Sequence, residues 1–488
     1  NDTTSQCLIL LPEISLSSQW LTRFTERFGT PPTLWHSNLT PAQRRESWLD
    51  IIEGKARVIV GARSALFLPY QNLKLLVVDE EHDGSYKQEE TVIYNARDMS
   101  VVRAKMLNIP LILASATPSI ETVHNCDLGN YVKIELRNRH AGATMPEVTL
   151  VDLRSKKKGD QDWISPQLAE ETQATLDRDE QVLLYLNRRG FAPMTICRGC
   201  GEKSECPYCS AWLVHHNARR TLVCHHCGHT VSADPTCMSC GEVDSRVACG
   251  PGVERVWEEV ARRFPTVKCE IASSDQVQTQ NKLKGLVDRF QNQETQILIG
   301  TQMVTKGYHF PNLTLVGVID GDQGLDGSDL RAGERTFQLL HQVAGRAGRS
   351  EKPGKVLIQT FSPEQPVFQA IKHHDRDAFI QAEMNMRSLR NMPPYGRLAA
   401  IILSAPDQAV AEKCARDLSR LRPNFEGVQI LGPAPAALAM IRGRYRWRFL
   451  VKSTKETNIQ QVLKSWLSQY KPPTNVKIQT DIDPYSFA

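Results

Sequence analysis

The sequence predicts an α/β chain in which two parallel-sheet domains stand in series, the second interrupted by a metal-binding module, with a small α+β domain after them. Three observations predict it. Short apolar runs alternate with polar, helix-like stretches in two separate regions, eight of the thirteen cysteines crowd between positions 197 and 240, and the pattern changes after Pro393-Pro394. A chain of 488 residues is too long for one hydrophobic core, so two to four domains are expected.

Residues 1–142 form the first expected domain, with strands at Cys7–Leu11, Arg57–Val60, Leu73–Val78 and Leu111–Ala114 in a βαβ rhythm. The rhythm resumes after the charged stretch Lys156–Asp160, in a second domain at 143–390. Its strands are Gln181–Leu186, Val267–Ile271, Gln296–Ile299, Leu313–Ile319 and Lys355–Gln359, and the cysteine-rich insertion spans 196–242. Residues 391–488 read as alternating strands with one helix, Asp407–Leu421. There is no internal repeat and no low-complexity tract.

With 41% hydrophobic and 23% charged residues, the composition is that of a globular protein. No run approaches eighteen apolar residues, and the opening Asn-Asp-Thr-Thr carries neither a basic nor an apolar leader region. A cytoplasmic protein without a membrane partner is expected. The absence of an initial Met close to a strand-like run reads as a piece cut from something longer. A net charge of +5 is compatible with nucleic acid without arguing for it; from Leu431 onward, however, nine Lys and Arg face three acids.

The cysteines form four Cys-x-x-Cys pairs: Cys197 and Cys200, Cys206 and Cys209, Cys224 and Cys227, Cys237 and Cys240. Each turn aims two thiolates at one point, and two turns supply the tetrahedral sulfur shell that zinc prefers. Two closed structural Zn²⁺ sites are expected. The favoured pairing is nested, with Cys206, Cys209, Cys224 and Cys227 inside and Cys197, Cys200, Cys237 and Cys240 clasping the ends of the insertion. His225, His226 and His229 are alternative ligands, read as surface or supporting groups. Disulfides would need an oxidising compartment, for which no export signal speaks. Cys7, Cys126, Cys249, Cys269 and Cys414 are read as buried apolar fillers.

Candidate chemistry sits at strand ends. The apolar run Leu73–Val78 leads into Asp79-Glu80-Glu81-His82, an arrangement in which the Asp holds a nucleotide's Mg²⁺ and the Glu orients water. Ser115-Ala116-Thr117 follows the next strand, where hydroxyls can couple a phosphate site to a second site. In Gln342–Arg349, Arg346 and Arg349 lie three apart, as on one helical face, at a spacing suited to a γ-phosphate. In Arg442-Gly443-Arg444-Tyr445-Arg446-Trp447-Arg448-Phe449 arginines alternate with rings. A strand there is either an edge strand with a solvated basic face or a stripe for DNA backbone, carried by Arg444, Arg446 and Arg448.

Together these segments resemble a known family. Leu11-Pro12-Glu13-Ile14-Ser15-Leu16, Gly61–Phe67, Asp79–His82, Ser115-Ala116-Thr117-Pro118, Leu186-Asn187-Arg188-Arg189-Gly190-Phe191, Gly300–Gly307 and Gln342–Arg349 are similar in order and spacing to the motifs of superfamily-two DNA helicases. The double zinc module directly after Asn-Arg-Arg-Gly narrows the resemblance to the primosomal protein N-prime family, over essentially the whole chain. The resemblance implies two RecA-like lobes, ATP and Mg²⁺ in their cleft, and 3′-to-5′ movement on single-stranded DNA at stalled or forked sites. It implies Mg²⁺ and water activation by Asp79 and Glu80, completion of the nucleotide site by Arg346 and Arg349, and nucleotide contacts from Ser115, Thr117 and Gly307. DNA-backbone contacts are implied for Arg63, Ser64, Thr301, Gln302 and Lys306. The segment Asp83–Arg97 is similar to the family's aromatic-rich loop, with Tyr86 and Tyr94 as its rings. Other primosome proteins and single-stranded-DNA-binding protein are the implied partners of a monomer.

One departure matters. The family's phosphate-binding loop, Gly-x-x-x-x-Gly-Lys-Thr or Ser, occurs nowhere in the 488 residues, and neither do the family's amino-terminal DNA-gripping domains. Without that loop's amides and Lys, these residues alone are expected to hydrolyse ATP weakly or not at all. Two rival readings follow: a module that binds single-stranded DNA and partners without turnover, and a double-stranded DNA translocase on the same fold. The eight-cysteine insertion argues against the second.

Overall fold

The computed structural model describes residues 4–12, 18–89, 91–136, 145–155, 162–186, 194–197, 214–216, 221–223, 229–232, 236–237, 240–241, 243, 246–249, 252–273, 280–301, 310–325, 331–348 and 352–485. The chain divides into two compact units, one of Asn1–Asn138 with Met303–Phe310, the other of Arg139–Gln302 with Pro311–Ala488.

The first unit runs β1 (Gln6–Leu10), α1 (Ser18–Phe28), β2 (Thr33–Trp35), α2 (Pro41–Ile52), β3 (Val58–Gly61), β4 (Leu73–Asp79), the two-residue strands β5 (Lys87–Gln88) and β6 (Tyr94–Asn95), α3 (Ala96–Leu107), β7 (Leu111–Ala114) and α4 (Ile120–Asp127). Its sheet has the order β2-β3-β1-β4-β7, every pairing parallel. Leu8, Leu10, Ile59, Leu76 and Val78 are fully buried in one core with Ala96 and Ala104 of α3, while the alternate residues of β1 and β4 are half-buried or exposed. Thr40 and Gln43 form a reciprocal capping box at α2, with Pro41 in its first turn. Gln6 is buried at the start of β1 and donates to the carbonyls of Ile51 and Ala56, 3.0 Å each.

The second unit begins with β8 (Glu147–Asp152), α5 (Pro166–Leu176) and β9 (Gln181–Tyr185). In and around the cysteine-rich insertion lie β10 (Met194–Cys197), β11 (Val214–His216), β12 (Thr221–Val223), β13 (Thr230–Ser232) and β14 (Arg246–Cys249). Then follow α6 (Val253–Arg263), β15 (Cys269–Ala272), α7 (Gln280–Gln291), β16 (Ile297–Gly300), β17 (Leu313–Val318), α8 (Ala332–Ala344), β18 (Lys355–Thr360), α9 (Pro366–Lys372) and α10 (Arg376–Leu389). The sheet order is β15-β16-β9-β17-β18-β8, again parallel throughout. All residues of β9, β16 and β17 are buried. The first unit's buried glutamine has a counterpart: Gln181 opens β9 and donates to Phe290 O at 2.6 Å and Thr295 O at 2.8 Å.

The chain ends in β19 (Gly396–Ala405), α11 (Gln408–Arg420), β20 (Val428–Ile441), β21 (Arg444–Thr454), α12 (Ile459–Leu467) and β22 (Lys477–Ile482). They form an antiparallel sheet, β20-β21-β19-β22, with α11 and α12 packed on the face that buries Phe449, Val451 and Trp466.

Every strand expected from apolar runs is present, its ends within two residues. The three-residue β2 and the outer strand β8 were not expected, and neither was α12, whose buried Ile459, Val462, Leu463 and Trp466 repeat at helical spacing. Two expectations need correction. The strand β21 is not an edge strand: it pairs with β20 on one side and β19 on the other. The chain turns through Arg442 and Gly443, both at positive φ (50° and 69°), so Arg442 lies in the hairpin turn rather than on the strand. The helix α8 stops at Ala344 and Arg346 lies in a following turn; Arg349 lies outside the described residues, and with it the helical face expected for the pair. Among the described residues no helix is long and apolar enough to cross a membrane.

Candidate functional site

Parallel strands deliver their carboxyl ends to one edge of a sheet, and the loops leaving that edge carry the candidate residues. Asp79 ends β4 opposite Ala114 of β7, which sets Asp79 and Ser115 on neighbouring strand exits. Burial pushes the Asp79 carboxyl above its usual range, against a hydrogen bond from the Glu80 amide at 3.0 Å that lowers it. A half-desolvated carboxylate at a strand end suits a divalent cation, whose charge would offset that burial. Glu80 takes the left-handed conformation (φ 47°), uncommon for a residue with a side chain. The turn is held by Glu81 N–H donating to Ala114 O at 3.1 Å and Asp83 N–H to Glu80 O at 2.8 Å.

The third acid of the run has a role that sequence reasoning missed. Glu81 is 2% exposed. Its carboxylate accepts from the Ser119 amide at 2.7 Å and the Ser119 hydroxyl at 3.1 Å, and meets Arg97 Nη1 at 3.3 Å. Arg97 Nη1 also donates to Ser119 Oγ at 2.7 Å. One buried carboxylate thereby ties the acidic turn to α3 and to the N-cap of α4. Beside it, His82 Nδ1 and Ser115 Oγ are in hydrogen-bond contact, and Ser115 Oγ accepts from the Thr117 amide. Thr117 is buried.

In the loop 83–97 the Tyr86 ring is buried: it is 1% exposed, and its hydroxyl donates to the Asp79 carbonyl at 2.6 Å, with Leu10 O at 3.0 Å. Tyr94 packs edge-on against Phe67 at 5.1 Å. Arg63, expected on DNA, holds the same loop through Nη1, which donates to Ser85 O at 3.0 Å and Lys87 O at 2.9 Å. Ser64 follows it in the 3₁₀ turn Arg63–Phe67.

In the second unit Thr301 follows β16, its amide bonded to Ala272 O at 3.3 Å. Arg346 is 9% exposed in the turn after α8. That turn closes at Gly348, where φ is +65° and a Cβ would come within 2.4 Å of the Gly354 nitrogen, so there is no room for a side chain. Gly348 N–H donates to Leu313 O at 3.1 Å. Gln302, Lys306, Gly307 and Arg349 lie outside the described residues, as does the Asn187–Gly190 motif.

In the insertion, β10 pairs antiparallel with β14, with Cys197 opposite Arg246, so the two ends of the segment are side by side. Thr236 bridges Val243 around a tight turn in which Gly241 N–H donates to Cys237 O at 2.8 Å and Gly241 takes φ +76°. Cys237 is buried and Cys240 exposed in that turn, a setting that fits a pair of thiolate ligands. The side chain of Cys197 and all of Cys200, Cys206, Cys209, Cys224 and Cys227 lie outside the described residues. Of the scattered cysteines, Cys414 is buried and Cys7, Cys126 and Cys269 are half-buried. Burial pushes the Cys269 thiol up to about 12, consistent with an inert filler.

Known proteins resemble this sequence over nearly the whole chain. Replication restart protein PriA of Rickettsia conorii is 45% identical over 482 residues, 99% of this chain and 74% of the relative. This chain belongs to the PriA family. The relative of the same name from Bacillus subtilis is 38% identical over 98% of this chain and 60% of its own length, and that of Haemophilus influenzae 37% over 98% and 66%. Residues 1–126 match the DEAD/DEAH box helicases, 252–351 the helicase conserved C-terminal domain, 206–231 the cysteine-rich region of the PriA DNA helicase, and 388–485 the primosomal protein N C-terminal domain. The parallel sheets are thus the RecA-like lobes of a replication-restart DNA helicase, with zinc in the insertion and ATP with Mg²⁺ at the helicase core.

The family's C-terminal domain holds the arginine stripe. Rings and arginines do alternate: Trp447 and Phe449 join the core while Arg444, Arg446 and Arg448 share the opposite face. Arg444 is engaged within the domain, donating to Ser404 O at 2.6 Å and Asn475 O at 2.8 Å. Burial, with a smaller push from Arg448, lowers the pKa of Arg446.

Proposed function

We propose that the parent protein is an ATP-dependent, 3′-to-5′ DNA helicase that recognises stalled or abandoned forks and initiates primosome assembly. The observation that carries the reading is the Asp79 strand end, braced from behind by the Tyr86 hydroxyl and flanked by the His82–Ser115 contact. Asp79 and Glu80 would hold Mg²⁺, which supplies neutralising charge to the phosphates. Glu80 orients the attacking water, Ser115 and Thr117 position the turn beside it, and Arg346 with Arg349 donates to the γ-phosphate. Gly307 is assigned to the nucleotide, and Arg63, Ser64, Thr301, Gln302 and Lys306 to the DNA backbone. The domain limits 1–142, 143–390, 196–242 and 391–488 belong to the same proposal.

Two Zn²⁺ are proposed, in the nested arrangement, supported by the pairing of the insertion's ends. Single-stranded and forked DNA, other primosome proteins and single-stranded-DNA-binding protein are the proposed partners of a cytoplasmic monomer. The test is strand displacement on partial duplexes with a single 3′ or 5′ tail, using the full natural polypeptide. Unwinding that needs ATP, depends on tail polarity and is lost in Asp79→Asn supports the reading; equal unwinding by that variant would end it.

A second reading applies to residues 1–488 taken alone, which contain no Gly-x-x-x-x-Gly-Lys-Thr or Ser. For them we propose binding of single-stranded DNA and partners with little or no turnover. Titration of a fluorescent ATP analogue into these residues and into the full natural polypeptide separates the two.

A further inference from the structure

The helix α8 leads directly to the turn that carries Arg346, and its other end is gripped from the C-terminal domain. Tyr485, 8% exposed, lies against two guanidinium groups: Arg331 Cζ is 4.6 Å and Arg335 Cζ 5.3 Å from its ring centroid. Beneath that clasp Glu334 pairs with Arg387 of α10 at 2.8 Å and with Arg331 at 3.6 Å. Arg387 also pairs with Glu383 at 2.8 Å and donates to Pro393 O at 3.3 Å. One turn further along, Phe337 stacks on Phe379 of α10 at 4.3 Å with the rings nearly parallel. Arg331, Glu334 and Arg387 are all more than nine-tenths buried.

Such a cluster is costly to form and strict in geometry: buried charges hold only where every partner stays in place. It fixes one end of a rod of thirteen residues, roughly 20 Å long, whose far end leads into Gly345–Gly348. A small tilt at the clasp becomes a displacement of the Arg346 guanidinium, and an error of about 1 Å in a group that meets developing charge is expensive in rate.

We propose that Tyr485 is a positioning residue: by clasping Arg331 and Arg335 it makes the C-terminal domain set the presentation of Arg346 to nucleotide. The proposal rests on the reading of Arg346 as a phosphate contact, so Arg346→Ala is tested in parallel. In the full natural polypeptide, Tyr485→Ala is expected to lower kcat for DNA-stimulated ATP hydrolysis about tenfold, with KM for ATP within about twofold. Tyr485→Phe, which keeps the ring face, is expected to restore kcat to within about twofold. Hydrogen exchange should quicken in 332–344 of Tyr485→Ala and stay native in the strand 355–360. Native kcat in Tyr485→Ala, equal loss in Tyr485→Phe, or faster exchange in both segments would overturn the clasp. Native turnover in Arg346→Ala would instead overturn the phosphate reading, and the proposal with it.

Discussion

His82 Nδ1 and Ser115 Oγ stand 2.7 Å apart, joining the loop that leaves β4 to the loop that leaves β7. Ser115 Oγ also accepts from the Thr117 amide at 3.0 Å, and His82 Nδ1 lies 3.6 Å from Glu80 Oε2. A disturbance at the Ser-Ala-Thr turn therefore reaches the acidic turn through one imidazole. Ser115→Ala and His82→Ala are each expected to cost about 1 kcal/mol, with a coupling of about 1 kcal/mol between them. Urea unfolding of the two single variants and the double variant measures it. Strict additivity would mean that the two side chains act separately.

Glu81 makes a prediction with a pH signature. Burial holds its carboxyl above the usual value of 4.5, opposed by Arg97 and by the hydrogen bonds from Ser119. A carboxyl with a raised folded-state pKa contributes stability below its unfolded pKa, and that contribution is lost as pH rises through the folded value. Arg97→Met removes the largest opposing influence, so the folded pKa climbs further and an unpaired buried charge remains at high pH. The variant is expected to lose about 3–5 kcal/mol at pH 8 and progressively less as pH falls and protonation of Glu81 removes the buried charge. A deficit that does not change with pH would rule out the buried charge as its cause.

What could be read from the sequence divides along these same residues. Asp79 and the four Cys-x-x-Cys pairs are local patterns, complete within a few residues of chain. The Glu81–Arg97–Ser119 network is not local: its partners are 16 and 38 positions apart, and each alone resembles an ordinary surface polar residue. Tyr86 shows the same difficulty. Nothing near it in sequence marks its burial, which comes from the proximity of β1 and β4, whose Leu10 and Asp79 carbonyls meet its hydroxyl. In β21, arginine–ring alternation gave the two faces but not the neighbours, because an edge strand and a covered one alternate alike.

Tyr86 can be tested by its hydroxyl alone. Tyr86→Phe keeps the ring but leaves the carbonyls of Asp79 and Leu10 without this donor, so a loss of about 1–3 kcal/mol is expected. Because Asp79 O belongs to the same residue as the carboxylate proposed to hold Mg²⁺, the variant should also weaken Mg²⁺-dependent nucleotide binding in the full natural polypeptide. Affinity unchanged alongside the stability loss would confine Tyr86 to the core.

The insertion is tested through its metal. Elemental analysis is expected to return two zinc ions per chain, and Cys237→Ser to lower this to one, because the nested arrangement places Cys237 in one site and Cys206, Cys209, Cys224 and Cys227 in the other. Chelation should unfold the insertion and leave the sheet of Ile297–Gly300 and Leu313–Val318 protected from hydrogen exchange. Loss of both ions in Cys237→Ser would favour ligands shared between the sites, and one ion in the native chain would exclude the double site.

The arginine stripe separates into members with different expected effects. Arg444 donates to Ser404 O and Asn475 O, so Arg444→Gln should cost stability and leave the salt dependence of DNA binding nearly unchanged. Arg448 shares the face with Arg446. If that face meets DNA backbone, each phosphate no longer neutralised should flatten the slope of log affinity against log salt by about 0.7 for a single strand. Arg448→Gln is therefore expected to shift the slope by about that amount, and Arg446→Gln with Arg448→Gln by about twice as much. Fluorescence anisotropy with a labelled oligonucleotide between low and moderate salt measures it. Slopes unchanged in the double variant would return the stripe to a structural role, its guanidinium groups engaged within the C-terminal domain as that of Arg444 already is.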